Sequence, residues 1–184
     1  MSSLDFALIR HGQQAAGFDA DPDPGLNAVG DLQAEAMAEA LGEAGGRLLY
    51  ASPLRRARQT AAAIERRWGV AAVIEPRVAE VPTTGMSLEA RGEWLNHFLQ
   101  ETWEAQPPTL RTWRDSIADL LLNLPGPAVI VSHFVVVNAV VGLATGDHRV
   151  TPSMPDHCSI NRFRVEDGRL HLIEKGAQRR TVVG

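Results

Sequence analysis

The sequence predicts an α/β fold, a three-layer αβα sandwich built on a mostly parallel, mixed sheet with helices on both faces. Three observations carry this. Short apolar runs alternate with stretches of helical period along the chain, the pattern of strand–helix–strand units. The run Ala128-Val129-Ile130-Val131 is apolar throughout, as a central strand covered on both faces must be. The last two strand-like segments flank Asp167-Gly168, a hairpin signal that makes the sheet mixed.

Taken in order, Leu4 to Arg10 is the first strand. Gln13 to Gly25 is a loop in which Asp19, Asp21 and Asp23 alternate around Pro22 and Pro24, a composition that favours neither helix nor strand. Asn27 has the chemistry of a helix N-cap, and Leu32, Ala36, Met37, Ala40 and Leu41 follow at helical spacing until Gly42. Leu48 to Ala51 is a short strand. Ser52-Pro53 then reads as an N-cap with proline at the first helical position, opening a helix that runs to Trp68 and stops at Gly69. Val70 to Glu75 is expected to be the third strand. Ser87 to about Ala105 is helical by pattern, Pro107-Pro108 breaks it, and Thr109 to Leu124 is a second amphipathic helix. Ala128 to Ser132 is a strand, Val135 to Leu143 a helix, and Ser159 to Val165 and Leu170 to Lys175 the closing hairpin. The tail from Gly176 reads as frayed or edge-bound.

Composition narrows the function. At 184 residues with 45% hydrophobic and 22% charged content, the chain reads as one globular domain, 1–184, with a small helical insertion at about 82–125. A net charge of -4 with no compensating basic stripe argues against a general nucleic-acid binder. The single cysteine, Cys158, excludes an internal disulfide and fits a reducing compartment. Met1-Ser2-Ser3 leads straight into the first strand, so no signal peptide is expected, and no apolar segment approaches the roughly 20 residues that span a membrane. A cytoplasmic protein with no membrane partner is the expectation. The oligomeric state is left open.

Three strand ends carry chemistry: Arg10-His11, Ser52-Pro53-Leu54-Arg55-Arg56, and Ser132-His133. In an open α/β sheet, ligands bind beyond the carboxyl ends of the strands. If these strands are parallel neighbours, Arg10, His11, Arg55, Arg56 and His133 share one rim, with two helix N-termini aimed at it. That is a phosphate or carboxylate site by electrostatics alone. No pair among the six histidines has the spacing of a helical zinc site, so no metal and no cofactor are expected.

At this point the chain resembles the histidine phosphatase superfamily, the phosphoglycerate mutase-like family. The resemblance rests on Leu8-Ile9-Arg10-His11-Gly12, on Leu26-Asn27-Ala28-Val29-Gly30 with Gln33-Ala34, on Ala51 through Ala61, on Glu80, and on Val131-Ser132-His133. It implies a phosphoglycerate mutase-like fold. It also implies His11 as a nucleophile that becomes phosphorylated, Arg10, Arg56 and His133 as holders of the phosphoryl group, and Glu80 as the proton donor. Arg56, directly before Ala57, matches the family arginine, whereas Arg55 and Arg58 do not. Glu75 and Glu89 are conceivable substitutes for Glu80.

Departures from the pattern bear on the pocket. Gln14 stands where a threonine is common, Asn27 replaces a usual threonine, and Phe134 replaces the glycine that follows the second histidine. Gln14, Phe134 and His157 are the candidate pocket wall. His97, His148, His157 and His171 are expected to be structural or solvent-facing, with His157 the one near the presumed rim, Trp94, Trp103 and Trp113 to be core, and Cys158 to be a small buried residue. The leading expectation is a metal-independent phosphomonoesterase acting on a small-molecule phosphate ester or a phosphoprotein. The short loop with three aspartates favours this over a cofactor-dependent phosphoglycerate mutase, the alternative, because an acidic mouth repels a multiply charged acid. A non-catalytic phosphate-binding module of the same fold is the second alternative.

Overall fold

The elements follow in the order β1 (Leu4–Arg10), α1 (Ala28–Leu41), β2 (Leu48–Ala51), α2 (Arg55–Trp68), β3 (Val73–Ile74), α3 (Leu88–Phe98), α4 (Pro108–Leu122), β4 (Ala128–Ser132), α5 (Phe134–Thr145), β5 (Ile160–Glu166) and β6 (Arg169–Glu174). They are seen in a computed structural model that describes residues 2–17 and 19–180. The sheet order is β3-β2-β4-β1-β5-β6. β3, β2, β4 and β1 are mutually parallel, and β5 and β6 run antiparallel to close the sheet. β4 is central and buried along its whole length, as its apolar run requires.

Alternation along β1 sorts the core into two layers. Phe6 and Leu8 join Ile130 against Ile117 and Leu121 of α4 and Val136 and Val140 of α5. Ala7 and Ile9 join Val129 and Val131 on the other face, under Ala34 and Met37 of α1 and Ala57, Ala61 and Ile64 of α2. Each fully buried Leu or Ile contributes about 1.5–3 kcal/mol, so the two layers fix β1 and β4 side by side. Their register pairs Arg10 with Ser132, and Ala51 of β2 pairs with Val131. The carboxyl ends of β1, β2 and β4 therefore share one rim. A third cluster gathers Phe98, Trp103 and Leu110 with Val135 and Ala139, which seats α3 over the start of α5.

Several boundaries differ from the sequence reading, each for a physical reason. β3 is two residues, not Val70 to Glu75. It lies at the sheet edge with only β2 beside it, and Val70, Val73 and Ile74 are exposed. α3 ends at Phe98 rather than Ala105, because Trp103 is drawn inward and its backbone N–H donates to the His148 carbonyl at 2.9 Å. Pro108 opens α4 instead of only breaking the chain, since a proline at the first helical positions forfeits no intrahelical bond. Asn27 does cap α1, its side chain accepting from the Gly30 N–H at 2.8 Å. Ser52 does not cap α2. That helix starts at Arg55, whose N–H donates to Asp23 Oδ1 at 2.8 Å, so the cap comes from the aspartate-rich loop. The hairpin turn has Asp167 at φ 53° and Gly168 at φ 69°, the left-handed pair a two-residue turn needs. Residues 176–180 of the tail are held at the edge, and 181–184 lie outside the described residues.

Candidate active site

The strand-end rim gathers Arg10, His11, Arg56 and His133, all buried, with Glu80 half-buried beside them. Arg55 and Arg58, on the same helix as Arg56, are exposed instead. The chain leaves β1 through Gly12, where a Cβ would lie 2.7 Å from the Gly30 carbonyl oxygen. Only glycine lets this loop rest on α1. The Gly12 N–H donates to Thr60 Oγ1 at 3.0 Å, and that hydroxyl donates to the Arg56 carbonyl at 2.7 Å. One threonine thus ties the loop after β1 to the first turns of α2.

His11 is fixed through both ring nitrogens. Nδ1 lies 2.7 Å from its neighbour's carbonyl, Gly12 O, which can only accept, so Nδ1 carries the proton. Nε2 then accepts from Arg56 Nε at 3.2 Å. Burial above all, then the Arg56 charge, hold the imidazole well below the usual 6.5, against the opposing pull of the Gly12 carbonyl. His11 is neutral at pH 7, with its lone pair on Nε2. The His133 ring stands 5.2 Å from that of His11 at 59°.

His133 is oriented by a residue the sequence reading misassigned. Its Nε2 lies 2.7 Å from Ser52 Oγ, and Ser52 Oγ also accepts from the Leu54 N–H at 3.2 Å. The hydroxyl keeps a lone pair and its proton for that contact, so it donates to Nε2 or accepts from it according to the tautomer of His133. Nδ1 is buried and has no hydrogen-bond partner among the described residues. In the tautomer with the ring proton on Nδ1, this nitrogen is an open neutral donor. Burial and the Arg56 charge likewise hold His133 well below 6.5. Ser52 and Thr60 were both within the Ser52–Ala61 run, but their roles depend on contacts across 81 and 48 residues.

Arg10 donates from Nη1 to the Pro155 carbonyl at 2.9 Å and lies over the Phe134 ring, 5.2 Å from its centroid. Burial, then the nearby Arg179 charge, push it down to about 10, so it stays cationic at neutral pH. Arg56 has Asp23 Oδ1 4.0 Å from Nη1. Glu80 is tied in place by backbone: it accepts from the Val81 N–H at 3.0 Å and from the Val135 N–H in the first turn of α5. Ser132 Oγ donates to the Val78 carbonyl at 2.7 Å and so pins the same loop to the end of β4. Burial raises the Glu80 carboxyl above the usual 4.5, outweighing Arg56, the two backbone donors and Arg10.

The alternatives to Glu80 stand elsewhere. Glu75 is engaged by Arg77 through both oxygens at 3.0 Å, which lowers its carboxyl, and Glu89 sits in the first turn of α3. Of the candidate wall, Phe134 backs Arg10. His157 comes within 6.0 Å of the His11 ring and is pushed down to about 4 by burial, Arg10 and Arg179. Gln14 bridges to Leu26, with its Oε1 buried and unpartnered among the described residues. His97, His148 and His171 are exposed, and Trp103 is core. Cys158 packs against the α1–α2 layer, where burial pushes its thiol up to about 12. A groove of about 700 Å³ along α2 and β3 meets this rim at Asp23, beside Arg56, but contains neither histidine.

These neutral histidines make stability depend on pH. In the unfolded chain His11, His133 and His157 take up protons near 6.5, whereas in the fold each resists protonation. Below 6.5 the unfolded state binds more protons, so stability falls as pH falls, by up to about 1.4 kcal/mol per pH unit for each histidine. Glu80, raised in the fold, opposes this between 4.5 and its folded value. The expected result is a melting temperature that declines steadily below pH 6.5 and declines less steeply in His133→Asn. Equal slopes in the two proteins would refute it.

The sequence profile of the histidine phosphatase superfamily (branch 1) matches residues 6–177. The chain belongs to this superfamily. Phosphatases appear among the solved structures it resembles. The mycobacterial glucosyl-3-phosphoglycerate phosphatase superposes with a TM-score of 0.75 at 21% identity, over 96% of this chain and 100% of that one. The phosphoserine phosphatase of Entamoeba histolytica, in complex with phosphoserine, gives 0.72 at 21% identity over 95% and 97%. The same enzyme in complex with 3-phosphoglyceric acid gives 0.71 at 22% identity over 95% and 98%. At this identity the likeness is one of fold. Among curated proteins none matches significantly. Among the described residues no group of three or more His, Cys, Asp or Glu could hold a metal ion, and no helix is long and apolar enough to cross a membrane.

Proposed function

We propose that this histidine phosphatase superfamily member is a metal-independent phosphomonoesterase that works through a phosphohistidine on His11. The observation that carries the reading is the pinning of His11. Nδ1–H is committed to the Gly12 carbonyl, and the free electron pair on Nε2 faces the Arg56 guanidinium. A neutral imidazole with a fixed tautomer is a nucleophile ready at neutral pH. Phosphoryl transfer asks chiefly for positioning and charge stabilisation, and two guanidinium groups plus the His133 Nδ1–H supply both.

The ester phosphate displaces Arg56 Nε from its bond to His11 and takes the donors of Arg10, Arg56 and His133. His11 Nε2 attacks phosphorus, the bond to the ester oxygen breaks, and Glu80 gives its carboxyl proton to the departing alkoxide. Water then attacks the phosphohistidine, Glu80 takes one proton from it, the P–N bond breaks, and inorganic phosphate leaves with His11 neutral again. Glu80 must be protonated for the first step, and its raised carboxyl favours that. The bound phosphate dianion adds to the same effect. Neighbours of the same fold named for phosphoserine and glucosyl-3-phosphoglycerate support a small phosphate ester as substrate.

The direct test is release of phosphate from p-nitrophenyl phosphate in excess chelator. Turnover between mildly acidic and neutral pH is expected; a folded sample with none would overturn the reading. Formation of 2-phosphoglycerate from 3-phosphoglycerate, with bisphosphoglycerate supplied, would replace it by a mutase. Ser52→Ala tests the tautomer of His133. Without the hydroxyl, the proton of His133 is free to sit on either nitrogen and the open donor is lost part of the time. We expect kcat to fall about tenfold, with threonine at the same position restoring most of it. Unchanged kcat would show that Ser52 has no part in orienting His133.

A further inference from the structure

The buried side of α5 is apolar except at Asn138, which has no exposed surface. A polar side chain taken out of water must find partners within the protein. Asn138 Nδ2 donates to the Phe134 carbonyl, one turn back, at 3.1 Å. Its Oδ1 accepts twice from Ser153, from the backbone N–H and from Oγ, both at 2.9 Å. Asn138 therefore ties the first turn of α5 to the segment 153–155. The tail holds that segment from its other side. The Asp156 N–H donates to the Ala177 carbonyl at 2.9 Å, and the Arg179 N–H donates to the Met154 carbonyl at 2.7 Å.

Both ends of this bridge meet on Arg10. The Pro155 carbonyl accepts from Arg10 Nη1 at 2.9 Å, and the guanidinium carbon stands over the Phe134 ring, 5.2 Å from its centroid. Phe134 is itself seated against the cluster of Phe98, Trp103 and Val135. A carbonyl at one nitrogen and a ring face on one side together fix the plane of a guanidinium. Arg10 Nε is buried and has no hydrogen-bond partner among the described residues. Nε and Nη2 form the side edge of the fork, two parallel N–H groups that match two oxygens of one phosphate. Pro155 takes Nη1 and leaves this edge open.

We propose that Phe134 and Asn138 are positioning residues that clamp the Arg10 guanidinium, so that its Nε–Nη2 edge is already set for the phosphoryl group. This rests on the phosphatase reading above and assigns both residues an action through Arg10. Phe134 supports the face of the fork. Asn138 fixes the spacing of the two jaws, the Phe134 backbone and the segment that ends in the Pro155 carbonyl. An arginine held in its binding geometry loses less freedom when the anion arrives, so the clamp is worth affinity for phosphate. Packing α3 on α5, or satisfying one buried amide, would not need both residues to converge on one guanidinium.

The test is a double-mutant cycle on the binding of inorganic phosphate, followed by calorimetry. Phe134→Leu keeps an apolar side chain and loses the ring face. It is expected to weaken phosphate binding about fivefold, the worth of a partly buried cation–π contact, whereas Phe134→Tyr should keep most of the affinity. Asn138→Leu should weaken binding to a similar extent. In an Arg10→Gln background neither substitution should weaken it further, because the group they position is gone. Unchanged affinity in Phe134→Leu, equal losses with and without Arg10, or a wild type that binds no phosphate overturns the clamp. Should Asn138→Leu fail to fold, the Phe134 arm of the cycle decides alone. A wild type that binds phosphate but never turns over p-nitrophenyl phosphate would sink the phosphatase reading instead, and the binding cycle would still decide the clamp.

Discussion

His11→Ala is expected to remove phosphatase activity almost completely, a loss on the order of 10⁴-fold in kcat. The magnitude follows from what the side chain does. In the proposed mechanism it is the group that bonds to phosphorus, and the arginines that remain can bind phosphate but cannot be phosphorylated. The sharper test is chemical. Wild type quenched during turnover of a ³²P-labelled ester should carry an acid-labile label, as a phosphoramidate does, and His11→Ala should carry none. Label retained in the variant would place the nucleophile elsewhere and overturn the mechanism. The variant loses hydrogen bonds to Gly12 and Arg56 and ring contacts with His133 and His157, none of which holds the sheet together, so its circular dichroism should match wild type.

Glu80→Gln is expected to give the second largest loss, and a selective one. Glutamine keeps the size and can still accept from the Val81 and Val135 N–H groups, but it has no proton to give. An alkyl ester, whose leaving alkoxide needs that proton, should lose about 10²- to 10³-fold in kcat. p-Nitrophenyl phosphate should lose far less, because its phenolate leaves without help. The pH profile carries the sign. The proposed mechanism requires neutral His11 and protonated Glu80. It should fall towards acid as His11, held well below 6.5, takes a proton, and towards alkali as Glu80, held above 4.5, loses one. In Glu80→Gln the alkaline limb should disappear. Equal losses on both esters, or a surviving alkaline limb, would assign the acid to another group.

Much of the fold was legible because its signals are local. The alternation of strand and helix periods, the Asn27 cap, the apolar β4 and the Asp167-Gly168 turn each need only a few neighbouring residues to act. Boundaries failed where a distant contact outweighed the local preference. Trp103 ended α3 early by burying itself, and Asp23 took over the cap of α2 from Ser52. Arg55, Arg56 and Arg58 are indistinguishable as residue types, and only the packing of α2 on the sheet buries Arg56 and leaves the others in water.

By itself the sequence determined the fold class, the family, and the residue types that reach the strand ends, because strand period and motif order are written along the chain. The tertiary structure alone decided how those residues act on one another. It held His11 and His133 below their ordinary range by burial, set Ser52 against His133, raised Glu80 between the end of β4 and α5, and tied the tail to the segment whose Pro155 carbonyl holds Arg10. Desolvation and hydrogen bonds between residues tens of positions apart have no local signature. They exist only once the sheet has closed.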